Sequence, residues 1–468
     1  MTRPSPRVST LPAYPKERIG VVGFGKTGRA LLDFILKEGL CSRPLLYNDT
    51  PLEESLVTAH YQDHGVEFAF GERAISELEK TELVLMSPGV NGRSARFSAV
   101  RDKGIPVLSE IEFAAGFIET DIIAVTGTNG KSTTVSLIDH ILRFNGVKSV
   151  LAGNIGVPLV GEIERITQDT VVVLEVSSFQ LEEIKDFKPR VAVLLNITPD
   201  HLDRYPSMEE YVLAKFNIFK NQDENDVLII NDDDPRLRTL PDGPMNLIRF
   251  SASHVLPTGL YLEGDQIVEK KPPDLGRISL EKNPLVGIHN RENLLAAAAV
   301  ARIHGIGYQE IAASLPEFSG LPHRMERVGR LGDVEFINDS KATNVDAALK
   351  SIQSLDGNGV VILGGKDKGG DFSALQEVLK KKAKRILLIG EAADTIYHQL
   401  SDIRNRCVRV LDLAEAVESG RRFLQDGGGV VLLAPACASF DMFHNFEDRG
   451  DTFRREVVAR MGGGDRDG

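Results

Sequence analysis

The 468-residue chain has only three cysteines, Cys41, Cys407 and Cys437, far apart in sequence. They form neither a disulfide framework nor a zinc-ligand spacing, which excludes a stapled secreted scaffold and makes a reducing cytoplasm the expected location. No apolar run reaches the length of a membrane span, so no membrane insertion is expected. The opening stretch MTRPSPRVSTLPAYPKER lacks the apolar core of a secretory signal and reads as a frayed tail. An excess of basic residues is also missing. The net charge of -12 argues against a nucleic-acid-binding surface. There is no low-complexity tract and no fixed-period repeat. What remains is ordinary for a soluble globular protein, with 42% apolar and 26% charged residues. The length exceeds one hydrophobic core, so roughly two to four domains are expected.

Short apolar runs alternate with helical patterns almost throughout. Ile19–Val22, Leu83–Met86 and Ile105–Leu108 form a first set. Ile122–Val125, Val171–Val176, Val191–Ile197 and Val227–Ile230 form a second, and Val334–Ile337, Val360–Leu363, Ile386–Ile389 and Val430–Leu433 a third. Continuous apolar strands separated by helices predict mostly parallel sheets covered on both faces. Sites in such sheets form at the carboxyl ends of the strands. The expected fold is therefore α/β. Ser109–Asp121 and Phe318–Gly329 read as the links between sets, and Tyr261–Arg277 as a polar excursion of the middle one.

Nearly every unusual cluster falls just after one of these runs. "VTGTNGKST" (Val125–Thr133) lacks the Gly-x4-Gly-Lys-Ser/Thr spacing of the common phosphate loop. It still joins a strand, a glycine turn and a helix start, which aims backbone N–H groups and the positive helix end at one point. Lys131 adds a cation, and Ser132 can reach a magnesium ion. A glycine-rich connector with a solvated lysine is the plainer alternative. Glu175 lies inside an apolar run, where a charge is costly unless paired or metal-bound. A salt-bridged edge strand is the plainer reading there, and a metal ligand the sharper one. "TPDHLDRY" (Thr198–Tyr205) follows the next run and offers His201 with Asp200, a helix cap or a metal contact. "GIHNRENLLAAAAVA" (Gly287–Ala301) opens an alanine-rich helix with Asn290, Arg291 and Asn293. "INDSKATN", "LGGKDKGGDF" and "LAPACASFDMFHNFEDRG" end three strands of the last set with polar, glycine-rich or cationic loops, which together suggest an anionic small-molecule site. Gly23–Gly28 follows the first run and Asp49 closes the next, as in a dinucleotide fingerprint. Cys437 reads as core filler and Asp232–Asp234 as a turn.

This set of motifs resembles the Mur ligase family over nearly the whole chain. "TGTNGKST", "GNIG", "LEVSSFQLE", "NITPDHLDRY" and "HNRENLLAA" are similar to its central ATPase domain, and "GLPHRME", "NDSKATN", "LGGKDKGGDF" and "PACASFDMFHNFEDRG" to its D-glutamate-adding members. The resemblance implies three domains, each a mostly parallel sheet flanked by helices: a Rossmann-like UDP-substrate domain (1–109), a central P-loop-type ATPase domain (110–320) and a Rossmann-like ligase domain (321–468). It implies ATP, two magnesium ions, UDP-N-acetylmuramoyl-L-alanine and D-glutamate as cofactors and substrates, and a monomer. It assigns Gly127, Thr128, Asn129, Gly130, Lys131, Ser132, Thr133, Asn290, Asn293, Arg324 and Asp339 to ATP. Ser132, Glu175, His201 and Lys215 are assigned to metal, Lys215 as a carbamylated lysine. Lys131, His201 and Lys215 are the catalytic set. Lys26, Thr27, Asp49, Thr50, Ser87 and Asn154 are assigned to the UDP substrate, and Thr343, Lys368, Ser439, Phe440 and Phe446 to D-glutamate. Pro51 departs from the family, whose best-known members often carry Arg there. Two other readings are weaker: an NAD-dependent oxidoreductase leaves Lys131, Glu175 and the last domain unexplained, and a nucleotide switch does not predict three anion-binding strand ends. A folylpolyglutamate synthase-like ligase is the nearest rival within the family.

Overall fold

The structure is a computed structural model that describes residues 16–461 apart from positions 54, 201–203, 241–242, 272–273, 286 and 319. The described strands form three sheets, of five, nine and six strands. The first contains β1 (Ile19–Val22), β2 (Leu45–Asn48), β3 (Glu67–Phe70), β4 (Leu83–Met86) and β5 (Val107–Ser109) in the order β3-β2-β1-β4-β5. Every pairing in it is parallel.

The second sheet contains β6 (Ile122–Thr126), β7 (Ser149–Gly153), β8 (Val171–Glu175), β9 (Val191–Leu194), β10 (Val227–Asn231), β11 (Asn246–Ser251), β12 (Gly259–Glu263), β13 (Gln266–Lys271) and β14 (Asp274–Ser279). Its order is β14-β13-β12-β11-β10-β9-β6-β8-β7. The strands from β7 to β12 pair in parallel. β12, β13 and β14 form an antiparallel meander. The polar excursion expected at Tyr261–Arg277 is thus sheet: each strand is part buried and part exposed, and β14 at the edge alternates exposed and buried residues, as a half-covered antiparallel edge does.

The third sheet contains β15 (Glu326–Leu331), β16 (Val334–Asn338), β17 (Gly359–Gly364), β18 (Ala383–Ile389), β19 (Cys407–Arg409) and β20 (Gly429–Leu433) in the order β15-β16-β20-β17-β18-β19. Only β15 runs antiparallel. The period of two decides its layers. Val361 and Leu363 pack in one core, with Phe372, Leu375 and Leu379. Val360 and Ile362 pack in the other, with Val417, Leu424 and Phe453. A strand buried on both faces needs apolar residues at every position, which is why these strands read as unbroken runs.

The chain divides into two compact units. One holds Met1–Ile197, Glu209–Leu280 and Leu294–Ser314. The other holds Thr198–Met208, Glu281–Asn293 and Leu315–Gly468. No helix among the described residues is long and apolar enough to cross a membrane.

Within the first unit the helix Glu110–Ala115 follows β5 directly. Its two buried glutamates act through backbone hydrogen bonds. The Glu112 carboxylate accepts from the N–H groups of Lys185, Asp186 and Phe187, each at 2.9 Å. Glu110 is fully buried and accepts from Val160 N–H at 2.7 Å. Burial pushes its carboxyl up to about 7, against the opposing pull of the Val160 and Leu159 N–H groups. The folded state therefore keeps this proton to a higher pH than the unfolded chain does. Glu110 stabilises the fold fully at acid pH, and that contribution is lost as pH rises from the ordinary carboxylate range through about 7. Glu110→Gln, which cannot ionise, is expected to lose less stability than the parent between pH 5 and pH 8. The difference should be on the order of 3 kcal/mol, read as the gap between their thermal unfolding temperatures at the two pH values. An equal fall in both proteins would remove Glu110 from this role.

Candidate functional site

The loop after β6 leads through a glycine turn into a helix start. Gly130 sits in the left-handed region at φ 86° and turns the chain into the helix Lys131–Phe144. That turn presents the helix's first N–H groups at the carboxyl end of β6. The Lys131 ammonium donates to the carbonyls of Gly127 at 2.9 Å and Thr128 at 2.8 Å. Ser132 and Thr133 are buried at the helix start. The loop's shape is fixed from the neighbouring strand: Asn196, just past β9, accepts from Asn129 N–H at 2.8 Å and donates to Asn129 C=O at 3.1 Å. The Asn196 carbonyl also accepts from Thr128 N–H at 2.9 Å. Asn196 was not singled out in the sequence. Its only signal there is a polar residue closing an apolar run.

Glu175 ends β8, which lies between β6 and β7, so the edge-strand reading fails. Its register partners are Val125 on one side and Gly153 on the other. The residue is 2% exposed. Asn154 Nδ2 donates to its Oε1 at 2.7 Å, while Oε2 is buried with no hydrogen-bond partner among the described residues. A buried carboxylate oxygen left open on the strand beside that of the Gly127–Lys131 loop has the donor chemistry that suits a hard cation such as magnesium. Among the described residues no cluster of three His, Cys, Asp or Glu side chains could hold a metal. A magnesium ion needs only one or two protein carboxylates when phosphate oxygens complete its shell. His201 lies outside the described residues.

Lys215 is 1% exposed near the end of the helix Met208–Phe216. Its ammonium donates to Gly127 C=O at 2.9 Å and lies 4.7 Å from the Tyr211 ring centre. The structure therefore brings Lys131 and Lys215 to the same carbonyl of the loop. Tyr211 also reaches the loop, its hydroxyl 3.0 Å from Thr128 Oγ1.

In the first sheet, Gly28 approaches Gly23 so closely that a Cβ would lie 1.8 Å from the Gly23 carbonyl oxygen. Ser87, after β4, donates to that same oxygen at 3.3 Å. Lys26 starts the helix Lys26–Lys37, with Thr27 beside it, and bonds to Gly156 C=O in the "GNIG" loop. Lys26 is thus joined to the loop that carries Asn154. Asp49 and Thr50 are exposed after β2. Arg96 grips Asp49 with both terminal nitrogens, at 2.6 and 3.2 Å.

In the second unit, three neighbouring strand ends meet. The loops after β17 and β20 are zipped where Lys366 and Ala438 exchange backbone hydrogen bonds at 2.8 and 3.0 Å. The loop after β16 joins them through Ala436 N–H to Ala342 C=O at 2.9 Å. Arg449 locks the assembly from below. It is 2% exposed and donates to Ser340 Oγ and C=O at 2.9 and 2.8 Å. It also donates to Cys437 C=O at 3.1 Å and Ala438 C=O at 3.3 Å. Burial lowers its guanidinium to about 10. Ser439 is buried at this junction, and Ser340 Oγ donates to Phe446 C=O at 2.8 Å. The Lys341 ammonium sits 3.7 Å from the Phe446 ring centre. Thr343 follows Lys341 in the same turn. Phe440 is 69% exposed and is not drawn into the junction. Cys437 is buried and its thiol is pushed up to about 12, which suits a filler and not a nucleophile.

The segment Thr198–Met208 brings Asp200 to the same junction. Asn344 donates to Asp200 Oδ2 at 3.1 Å, and Lys368 lies 3.5 Å from its Oδ1. Asn290 and Asn293 are both buried, 3.4 Å apart between side-chain amides. Arg324 stands between His323 and Met325, whose φ values of 62° and 47° are strained for residues with a Cβ. Asp339 accepts from Met325 N–H at 3.3 Å and from the Ser351 hydroxyl. Burial raises its carboxyl, and the Ser351 hydrogen bond and the Arg324 charge pull it back. His289, unread in the sequence, is held neutral: burial takes it down to about 4, aided by Lys350 and Arg324.

Family descriptions match three successive stretches: "Mur ligase MurD-like, N-terminal domain" over residues 17–109, "Mur ligase middle domain" over 125–301, and "Mur ligase, glutamate ligase domain" over 323–437. The chain is 39% identical over 463 residues to a UDP-N-acetylmuramoylalanine–D-glutamate ligase of Pelotomaculum thermopropionicum, covering 95% of this chain and 98% of that protein. It is 38% identical over 453 residues to the ligase of the same name from Syntrophotalea carbinolica, covering 96% and 99%. Among solved structures, the MurF ligase of Thermotoga maritima in complex with ADP shares the fold, with TM-score 0.59, 18% identity and 96% of each chain covered. So does the UDP-N-acetylmuramate-alanine ligase MurC of the same organism, with TM-score 0.57, 18% identity, and 95% of this chain and 100% of that one covered. Matched from its first sheet to its last, and by relatives of this similarity over nearly its whole length, the chain belongs to the Mur ligase family.

Proposed function

We propose that the protein is the ATP-dependent ligase that joins D-glutamate to UDP-N-acetylmuramoyl-L-alanine, a cytoplasmic step of peptidoglycan precursor synthesis. The observation that carries this reading is the likeness of 95% of the chain to ligases named for that reaction. The site chemistry agrees with it. An oxygen of the muramoyl-alanine carboxylate attacks the γ-phosphorus of ATP, ADP leaves, and an acyl phosphate forms. The D-glutamate nitrogen then attacks the acyl carbon through a tetrahedral intermediate, inorganic phosphate leaves with the C–O electron pair, and the nitrogen loses its extra proton. The first step sets anion against anion, so it is a problem of positioning and charge neutralisation.

Lys131 and the N–H groups of Gly127–Thr133 hold the β- and γ-phosphates. Ser132 and Glu175 hold one magnesium, which neutralises charge on the phosphate oxygens. His201 and a carbamylated Lys215 hold a second. Asn290, Asn293, Arg324 and Asp339 bind the rest of ATP. Lys26, Thr27, Asp49, Thr50, Ser87 and Asn154 bind the UDP substrate in a first domain of residues 1–109, ahead of an ATPase domain of 110–320. Thr343, Lys368, Ser439, Phe440 and Phe446 bind D-glutamate in the last domain, 321–468. Two carboxylates on that amino acid explain the gathering of cations and hydroxyls there.

Phosphate release with magnesium, ATP and UDP-N-acetylmuramoyl-L-alanine should depend on D-glutamate and not on L-glutamate, glycine or L-alanine. Release without D-glutamate, or with any amino acid alike, would sink the substrate assignment. Lys131→Ala should lower turnover on the order of 10³-fold with an unchanged circular dichroism spectrum. Parent-like turnover would take the loop out of the mechanism. Lys215→Ala should be nearly inactive and recover activity with added acetate or formate, which replace the lost carboxylate. A fully active variant that such acids do not stimulate would rule the carbamate out.

A further inference from the structure

The turn after β10 carries three successive carboxylates, Asp232, Asp233 and Asp234, that the proposed reaction does not use. Each of them grips a neighbouring strand end. Asp232 accepts from the Arg249 guanidinium at 2.8 Å and lies 2.9 Å from His254 Nε2. Asp233 accepts from Ala252 N–H and from the Ser251 hydroxyl, each at 2.7 Å. These two hold the end of β11. Asp234 turns the other way, toward β9. Its Oδ2 accepts from Ile197 N–H at 2.6 Å, and its Oδ1 accepts from Arg236 N–H at 2.9 Å, capping the short helix Pro235–Arg238. The Arg236 guanidinium donates to Ile197 C=O at 3.3 Å. Both backbone polar groups of Ile197 are therefore held by the turn after β10.

That grip falls one residue from a contact the nucleotide loop depends on. The register of β9 with β10 ends at Leu194 and Ile230, so past that point Asp234 supplies the acceptor that a strand no longer does. Ile197 follows Asn196, whose side-chain amide and carbonyl hold the backbone of Asn129 and Thr128. Leu195 N–H donates to Thr126 C=O at 3.0 Å. The end of β9 is thus fastened to the β6 loop on one side and to Asp234 on the other. Ile197 is fully buried and Asp234 is 8% exposed. A buried N–H that loses its acceptor is unfavourable, and a shift of the strand end toward solvent relieves it. Such a shift carries Asn196 with it. Loop N–H groups that neutralise phosphate act by being placed in advance, so a small displacement weakens them.

We propose that Asp234 is a positioning residue for nucleotide binding, acting through Ile197 and Asn196 on the Gly127–Lys131 loop. It touches neither ATP nor metal in this role. The inference rests on the reading that this loop holds the phosphates of ATP.

Calorimetric titration of the full chain with magnesium and ATP, with no sugar-nucleotide present, tests it without turnover. Asp234→Ser keeps a good helix cap but is too short to reach Ile197. It should weaken ATP about tenfold, the scale of one hydrogen bond to a charged group, and leave the affinity for UDP-N-acetylmuramoyl-L-alanine unchanged. Asp234→Asn, of the same size and with one acceptor left for two N–H groups, should show a smaller loss of the same kind. In an Asn196→Ala background, Asp234→Ser should add little further loss, because both substitutions break one chain of contacts. Equal weakening of ATP and of the sugar-nucleotide would reduce Asp234 to a general prop of the fold and overturn the proposal. Unchanged ATP affinity in both Asp234 variants would overturn it, as would losses that multiply in full in the double variant. A parent chain that does not bind magnesium-ATP would instead overturn the reading of the loop.

Discussion

A carboxylate taken out of water inside a parallel sheet is unfavourable by several kcal/mol unless something answers its charge. Glu175 is in that position. One oxygen is answered by the Asn154 amide, and the other is buried with no partner among the described residues. Its strand is flanked on both sides. β6 on one flank ends in the Gly127–Lys131 loop, and β7 on the other ends at Gly153, with Asn154 next. Gly153 has no Cβ because one would lie 2.3 Å from the Glu175 carbonyl oxygen. The glycine at that position is a packing demand of the neighbouring strand, and it delivers the asparagine that orients the carboxylate.

The second unit uses the same physics with the opposite sign. Arg449 is a buried guanidinium answered mainly by backbone carbonyls. Carbonyl dipoles in place of a carboxylate leave the charge only partly compensated, consistent with its lowered pKa of about 10. Holding Ser340, Cys437 and Ala438 at once ties two loops that are far apart in sequence. The left-handed backbone of Ala436 at φ 61° belongs to this junction. Such strain persists where surrounding contacts over-determine a loop.

The sheets were legible because burial on both faces forces unbroken apolar runs, and the loop after β6 because its glycines and lysine serve one purpose. The meander β12–β14 was not, because a half-exposed antiparallel edge in polar sequence looks like a loop. Asn196, Arg449 and Arg96 were missed for a different reason. Each is a single polar residue whose partners are brought to it by tertiary structure, across 67, 109 and 47 positions in their key contacts. Local pattern cannot report such pairings. Lys215 looks like any helix lysine beside Glu209 and Glu210, and its near-complete burial is visible only in the fold.

The burial of Lys215 also bears on the proposed modification. Its ammonium shares the Gly127 carbonyl with Lys131, so two positive charges converge on one dipole. Like charges brought close in a poorly solvated place repel strongly. Carbamylation would convert the Lys215 end from cation to anion and remove that repulsion. The carbamate nitrogen keeps one N–H, so the bond to Gly127 C=O survives the change. The new carboxylate would add oxygen donors on a buried side chain already bonded to the Gly127 carbonyl. Under the proposed modification, one side chain would hold the loop through its nitrogen and a metal through its new oxygens, which a glutamate at the same position, lacking the N–H, would not do.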